Sequence, residues 1–253
     1  MRYLSATANT ITNVQLFTGI ASVAGLFFAN FTATNILITV AFFYIYSILG
    51  ISITLHRYYT HKAFEFKHPA LKWLFTLFAL LAGRASILGW VYVHRLHHTN
   101  TDNDKDPHSP LTIGYKLFGF KHIEEKSEKM KIFLVKDLMT KEHIWINNYY
   151  LTVIIGWIVL MGLVDPSLIY FTWILPAFIV QLSQNNFNYF AHKNGYRNFE
   201  TKDMSTNNAW LFPFILGDAW HNNHHGQPAV STTQVKWWEI DPAEWIISLV
   251  KKA

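Results

Sequence analysis

The stretch from Ile36 to His61 reads ILITVAFFYIYSILGISITLHRYYTH, and it decides the fold. Up to Leu55 it carries no charged side chain, and a helix of about 20 mostly apolar residues is long enough to cross a bilayer. His56 and His61 follow immediately, and imidazole is the commonest protein metal ligand. The stretch therefore predicts a membrane-spanning helix that carries a pair of metal-binding side chains just beyond the bilayer.

The composition of the whole chain agrees with a membrane protein. Of 253 residues, 51% are hydrophobic and only 15% are charged, against about 25% charged residues in average soluble domains. Mean hydropathy is +0.14. There is no cysteine, which excludes disulfides, thiolate ligands and iron–sulfur clusters. The net charge of +5 suits a protein surface near anionic lipid. The basic residues are dispersed along the sequence, which argues against a nucleic-acid partner.

Four apolar stretches approach the spanning length, and they pair as two hairpins. They cover residues 11–29, 36–55, 149–164 and 168–182. The links within the hairpins, 30–35 and 165–167, are very short, and short links force antiparallel neighbours. A fifth stretch, Leu71–Ala82, is too short to span, so we expect it at the interface or buried in protein. With Arg2 alone before its apolar run and no small-residue cleavage site, the N-terminus is expected to be mature.

Basic residues predict the orientation. Of 21 Lys and Arg, 14 lie between Arg57 and Lys141, six lie from Lys193 onward, and none falls in either hairpin link. Cytoplasmic loops carry this excess. We therefore predict an all-α membrane protein, one domain over residues 1–253, with four transmembrane helices in two hairpins. A cytoplasmic helical cap, residues 56–148 and 183–253, would carry all 13 histidines, and both termini would be cytoplasmic.

Eight of the histidines form three boxes, which are His56 and His61, then His94-Arg-Leu-His97-His98, then His221-Asn-Asn-His224-His225. In the second and third boxes the spacing is i, i+3, i+4, which places all three rings on one face of a helix. His56 and His61 are five apart, about 140° around an α-helix. Either the helix loosens after Leu55, or these two rings bind different metals.

The number of imidazoles predicts two metal ions. A structural zinc takes about four ligands and a catalytic zinc about three, so the boxes and the lone His192 exceed the needs of one ion. Two ions with four or five imidazoles each fit the count. Neutral rings leave the metal charge uncompensated, which nearby carboxylates can offset from behind the ligands. Asp106 and Asp218 are candidates, as are Asp102 and Asp104, for which a solvated loop is an equal alternative.

The boxes and their surroundings resemble the membrane fatty acid desaturases, especially the acyl-CoA Δ9 (stearoyl-CoA type) branch. The resemblance covers most of the chain, from about Ser47 to Trp245. Beyond the boxes it is carried by Ser47-Ile-Leu-Gly50, Trp90 four residues before the second box, Asp106-Pro-His108, Asn188-x-x-x-His192-x-x-Gly195-Tyr196-Arg197, Ser205-x-x-Asn208 and Gly217-Asp218. Gly83-Arg84-Ala-Ser86 and Trp220 depart from the family pattern, which puts substrate identity in question more than chemistry.

The resemblance implies a di-iron centre that uses O2 as co-substrate. Asn188 would contact one iron through water, and the region of Trp90 and Arg84 would lie near the acyl chain. The implied ligands are His56, His61, His94, His97, His98, His192, His221, His224 and His225.

The implied reaction introduces a cis double bond into a long-chain fatty acyl group, with acyl-CoA expected as carrier and acyl carrier protein or lipid as alternatives. No flavin, nicotinamide or cytochrome b5 motif occurs in the sequence. Two electrons must therefore come from an external donor, such as a ferredoxin or cytochrome b5 with its reductase. The expected location is a bacterial inner membrane, or the endoplasmic reticulum if the source is eukaryotic.

Two other functions are considered. A histidine-box hydroxylase of an alkyl, sterol or carotenoid substrate would use the same iron chemistry, and the Asn188–His192 and Asp106–His108 contexts favour the desaturase over it. A metal transporter or sensor would place ionisable residues within its spans. The four stretches hold no such residues near their centres, which weighs against transport.

Overall fold

A computed structural model describes residues 2–112, 114 and 132–252, so part of the predicted cytoplasmic loop lies outside the described residues. The described chain is mostly helical and forms no β-strand, only isolated bridges such as the one between Tyr196 and Asn207. Its α-helices are α1 (Arg2–Phe28), α2 (Ala33–Tyr44), α3 (Pro69–Leu81), α4 (Ile87–Asn100), α5 (Lys141–Asn148), α6 (Tyr150–Val164), α7 (Pro166–Ile169), α8 (Leu175–Phe190), α9 (Phe212–Ile215), α10 (His221–Gly226) and α11 (Pro242–Val250).

Other helix types join these elements. A long π-helix, Ile45–Thr60, continues α2 without a break, and a short one, Tyr170–Ile174, connects α7 to α8. Three 3-10 helices cover Ile132–Leu138, Ala209–Leu211 and Leu216–Ala219. The result is two long continuous helices, one formed by α2 and its π-helix and one running from α7 to the end of α8.

Each of the four predicted spans falls on a helix, but fewer meet a strict spanning test. Among the described residues, two helices are long and apolar enough to cross a membrane, Ala33–Thr60 and Pro166–Phe190. A third crossing results if α5 and α6, which meet at a bend of 60°, count as one. The described apolar part of α1, Thr12–Phe28, is shorter. The apolar helices agree with membrane association, while the four-span arrangement stays a prediction.

Short caps end the hairpin links where the sequence predicted them. Thr32 begins α2 by accepting a hydrogen bond from the Asn35 amide through its hydroxyl. Asp165 separates α6 from α7, and its carboxylate accepts from the Ser167 amide at 2.8 Å. Such caps satisfy amides that a helix start leaves unpaired. Both links are therefore short breaks between helices, and the hairpin arrangement of the helices stays a prediction.

The short apolar stretch predicted not to span forms α3, which packs along the π-helix. The contact is close because Gly50 has no side chain: a β-carbon there would lie 2.9 Å from the Phe78 carbonyl oxygen. On the other side of the π-helix, Ile53 joins a buried cluster with Ile247 of α11. The π-helix is thus enclosed by α3 and α11, and its C-terminal end, with His56, is held inside the protein.

Candidate metal centre

Nine histidines from four separate segments converge into two groups. Within each group the candidate ring nitrogens all lie within 4.8 Å of one another. The first group has five members, which are His56, His61, His94, His98 and His224. The second has four, which are His97, His192, His221 and His225. The groups adjoin, since the rings of His98 and His225 stack at 4.6 Å between centroids. All nine sequence-predicted ligands are brought together, in sets of five and four.

The π-helix brings His56 and His61 into the same group. The His61 amide donates to the His56 carbonyl oxygen at 3.1 Å, an i to i−5 bond that stacks residues five apart. Thr60 supports this wider winding, because its hydroxyl donates to the Leu55 carbonyl, also five residues back, at 2.7 Å. Of the two alternatives, a loosened helix or two different metals, the structure shows the loosened helix. The loosening begins at Ile45, earlier than the expected point after Leu55.

The second box divides between the groups. His94 and His98 are one turn apart on α4, and their Nε2 atoms lie 3.1 Å apart in the first group. His97 belongs to the second group. Trp90, one turn before His94, stacks on its ring at 4.7 Å and 22°. Trp90 therefore forms part of the wall of the first group, and its predicted contact with substrate stays a proposal.

The third box forms α10, whose asparagines hold it in place. His224 joins the first group, while His221 and His225 join the second. Asn222 accepts from the Asn198 and Phe199 amides at 2.8 Å. Asn223 donates to buried Glu239 at 2.8 Å and accepts from Asn207. Histidine and asparagine thus occupy opposite sides of this short helix, and the asparagines fix the orientation of the rings.

His192 follows the end of α8, and its Nε2 lies 3.0 Å from that of His221. Asn188 is half-buried four residues earlier, in the last turn of α8, and its side chain has no hydrogen bond to another described residue. It is thus free to reach a ligand beside His192. Its water-mediated role stays a proposal.

The spacing of the nitrogens fits metal ions. The Nε2 atoms of His56 and His224 lie 2.9 Å apart, and those of His98 and His224 lie 3.1 Å apart. Two imidazoles at right angles around an ion, each about 2.1 Å away, would place their nitrogens about 3.0 Å apart. The buried Nε2 atoms of His61 and His225 have no hydrogen-bond partner among the described residues. Each group therefore contains a buried nitrogen without a partner, which a bound metal ion would supply.

Carboxylates stand behind three of the four rings of the second group. The Nδ1 atoms of His97, His192 and His225 lie 2.9, 3.0 and 2.9 Å from Asp106, Asp102 and Asp203 respectively. Such a partner fixes the tautomer, aims Nε2 at the ion and raises its basicity. These hydrogen bonds help hold the pKa of Asp102 at about 2, against burial, which alone would raise it. They also hold the pKa of Asp203 well below its usual range.

The first group has one such carboxylate among the described residues. Asp218 lies 3.7 Å from His56 Nδ1, and it also accepts from Ser52 at 2.8 Å and from buried Arg57 at 3.1 Å. Arg57 is itself clamped by both oxygens of Asp241. The charge of Asp218 is therefore shared with a cation, and the first group receives less negative charge than the second.

Burial keeps six of the rings neutral. It lowers the pKa of His94, His97, His98, His221 and His224 well below the ordinary value, with further lowering by neighbouring histidines. In the first group the pKa of His61 falls to about 2. A neutral imidazole has the free lone pair that a metal requires. These six rings, which come from both groups, are thus in the ligand-ready protonation state at neutral pH.

Sequence reasoning did not identify every contributor. Asp203 went unnoticed, although a carboxylate two residues before Ser205 was the available signal. Of the two aspartates left open, Asp102 contacts His192 while Asp104 is exposed. His108 stacks on His97 at 4.2 Å and groups with it and Asp106. Because that third group shares His97, it is not an independent site.

Comparisons with known proteins agree with this geometry. Residues 30–248 match the fatty acid desaturase family. Over 222 residues the chain is 31% identical to hex-5-enoyl-[acyl-carrier protein] acetylenase of Moorena producens (strain JHB), covering 77% of this chain and 67% of that protein.

Two further relatives have names that specify desaturation at the Δ9 position. Delta-9 acyl-lipid desaturase 1 of Arabidopsis thaliana is 31% identical, over 80% of this chain and 68% of its own. The sn-1 stearoyl-lipid 9-desaturase of Anabaena variabilis is 27% identical, over 88% of this chain and 83% of its own. Together with the family match across most of its length, these likenesses show that the chain belongs to the fatty acid desaturase family and is an oxidoreductase of that kind.

Proposed function

We propose that the protein is an O2-dependent di-iron desaturase that introduces a cis double bond into a long-chain fatty acyl group. The observation that carries the proposal is the pair of adjoining imidazole groups, five and four strong, in a chain of this family. Imidazole suits iron as well as zinc and copper, and the family membership favours iron. The nine histidines of the two groups are the proposed ligands.

The protein side chains position the reactants. Bound as a pair, the irons would supply the oxidant that removes two hydrogens from neighbouring carbons, using O2 and two external electrons. Trp90 presents an apolar ring beside the first group, and Asn188 presents an amide beside the second. Buried apolar residues of α4, such as Leu88 and Val91, exclude water from the approach. Holding one C–C bond next to the ions is the main catalytic contribution of this chain.

The substrate proposal follows the relatives. Their names include acyl groups on acyl carrier protein and on lipid, and two of them are Δ9 enzymes. We infer that this protein catalyses a Δ9-type reaction. The sequence motifs suggest acyl-CoA as the carrier of the acyl group.

The proposed topology is the four-helix arrangement predicted from the sequence, with both termini and the histidine groups on the cytoplasmic side. Basic residues such as Lys62 and Lys193 are exposed, and in the proposed topology they would face the cytoplasm. They suit an acidic ferredoxin or cytochrome b5, because complementary charge steers a donor to its site.

Expression in a host that lacks its own desaturase tests the function. Lipids from cells with the wild-type chain should contain a new cis double bond, located by mass spectrometry, and cells with His97→Ala should not. A hydroxylated chain without a double bond would instead identify the hydroxylase. Feeding acyl-CoA, acyl carrier protein or lipid-linked substrate to membranes then distinguishes the carriers, and iron analysis of purified protein should give about two ions per chain.

A further inference from the structure

A second set of buried polar groups lies away from the histidines, around Arg84 in the link between α3 and α4. Its guanidinium makes one long hydrogen bond, from Nη2 to Asn185 Oδ1 at 3.4 Å. The Nε and Nη1 atoms are buried and have no partner among the described residues. No described carboxylate lies within ion-pair distance of it. Arg84 is therefore a half-buried cation whose counter-ion, if it has one, is not among the described residues.

Three neighbours share this lack of partners. Tyr150 of α6 interacts electrostatically with Arg84, and Asn185 accepts its hydrogen bond. Gln181 lies one turn before Asn185 on α8, and a β-carbon on Gly83 would lie 3.5 Å from Ala177, one turn earlier still. The Tyr150 hydroxyl, the Gln181 oxygen and the Asn185 amide nitrogen are all buried and unpaired among the described residues. These three side chains are at most 2% exposed. We call the four residues the Arg84 cluster.

Such an arrangement is costly for a protein alone. A buried polar atom without a hydrogen bond destabilises the fold, and an unpaired buried charge does so far more. Water can fill single hydrogen bonds but supplies no opposite charge. The donors that converge here come from a guanidinium, a phenol and an amide, and the Gln181 amide can rotate to add another. A carboxylate, which accepts several hydrogen bonds and carries negative charge, matches this set.

The walls around the cluster specify the rest of the ligand. Leu81, Leu88, Trp173 and Val180 are fully or almost fully buried and belong to the main apolar core. His192 of the second group lies seven residues after Asn185, just past the end of α8, a separation of about 10 Å at the helical rise per residue. An aliphatic chain attached to the carboxylate would lie among apolar side chains and could extend toward the histidines.

We propose that the Arg84 cluster binds a carboxylate carried on an aliphatic chain. Two sources have this chemistry: a free fatty acid, or an acyl chain with a second acid at the end remote from its carrier. The assignment concerns binding alone. It is tested on iron-loaded protein under nitrogen without an electron donor, so its failure is seen separately from a failure of the proposed desaturation.

Isothermal titration of the protein in lipid nanodiscs, corrected for empty discs, measures the binding. Octanoate should bind the wild-type chain at least tenfold more tightly than Arg84→Gln, a difference of about 1.4 kcal/mol. Lys67→Gln removes the same charge from an exposed position and should bind octanoate as wild type does. Methyl octanoate, which is neutral, should bind equally weakly to all three. Equal binding of octanoate by wild type and Arg84→Gln, or of methyl octanoate and octanoate by wild type, would overturn the proposal.

A fourth probe separates the two sources. Monomethyl suberate carries its acid at one end and an ester at the other. Affinity matching octanoate supports a chain with a remote acid, and much weaker, Arg84-dependent binding supports a free fatty acid.

Thermal unfolding provides the second readout. Without ligand, Arg84→Gln should unfold at the wild-type temperature or above it, because an uncompensated charge has been removed. A marked decrease would identify Arg84 as structural and contradict the proposal. Should that variant fail to fold, Tyr150→Phe decides, since it loses one donor and should bind octanoate several-fold more weakly, whereas unchanged binding would count against the site.

Discussion

The two histidine groups differ in what stands behind them. Three of four rings in the second group have a carboxylate on Nδ1, at 2.9–3.0 Å. Among the described residues, the first group has Asp218 alone, at 3.7 Å and shared with Arg57. The first group thus has more imidazoles and less negative charge behind them, and the second group has fewer imidazoles and more negative charge. We infer that ligand number holds an ion in the first group, and charge holds it in the second.

The strongest test removes a ring from the smaller group. With His97→Ala, three imidazoles remain in the second group and Asp106 loses its imidazole partner. We therefore expect about one iron per chain and more than about 100-fold less desaturation, beyond the usual effect of losing an outer partner. Iron analysis and product assay on the same sample measure both. His68→Ala, at an exposed position outside both groups, is the control and should match wild type. Full activity in His97→Ala would refute its role as ligand.

Acid should destabilise the metal-free protein. Because burial lowers the pKa of rings in both groups, they take up protons more readily in the unfolded chain, near pH 6.5. This contribution to stability is therefore complete above about pH 6.5 and decreases as the pH falls below it. Denaturant titrations between pH 8 and 5 measure the free energy of unfolding. A flat profile across that range would contradict the neutral state of the rings.

Asp106→Asn tests the role of charge in the second group. The amide keeps the shape but removes the negative charge, and we expect iron affinity there to fall about 10- to 100-fold. Chelator competition should then show one ion leaving early while the other is retained. Asp104→Asn, in the exposed part of the same loop, should leave the release curve unchanged. Simultaneous weakening of both ions would show that the groups share one electrostatic environment.

The smallest effect is expected from Thr60→Val in the π-helix. The change keeps the shape and removes the hydroxyl that donates to the Leu55 carbonyl, so it should lower the free energy of unfolding by about 1 kcal/mol. Any loss of iron should be confined to the first group, which contains His56 and His61. Thr99→Val, whose hydroxyl bonds to its own helix at an exposed position, is the control for the substitution itself.

The sequence predicted where the helices lie and which histidines come together, because each depends on local pattern. Apolar runs located the elements, and box spacing gathered the candidate histidines. The division into five and four depends on how α4 and α10 face each other, which puts His97 apart from its neighbours in the box. No local spacing encodes that. The π-helix was one of two alternatives that the five-residue separation left open, and nothing in the sequence indicated that it begins at Ile45.

The carboxylates were harder to identify for the same reason. Asp203 meets His225 across 22 residues and Asp102 meets His192 across 90, so only the folded chain pairs them. Asp102 also has a backbone φ of 62° directly after α4. Aspartate tolerates this left-handed conformation better than most residues, and the turn brings its carboxylate back toward the rings.

α10 lies near the C-terminal end of the chain, so its histidines are translated last. The first group needs one ring from this helix and the second needs two, and the partner rings begin with His56, far earlier in the chain. A nascent chain that has not reached His221 therefore lacks part of both groups. If the two groups bind iron as proposed, neither ion would have its full set of ligands until translation has passed that helix.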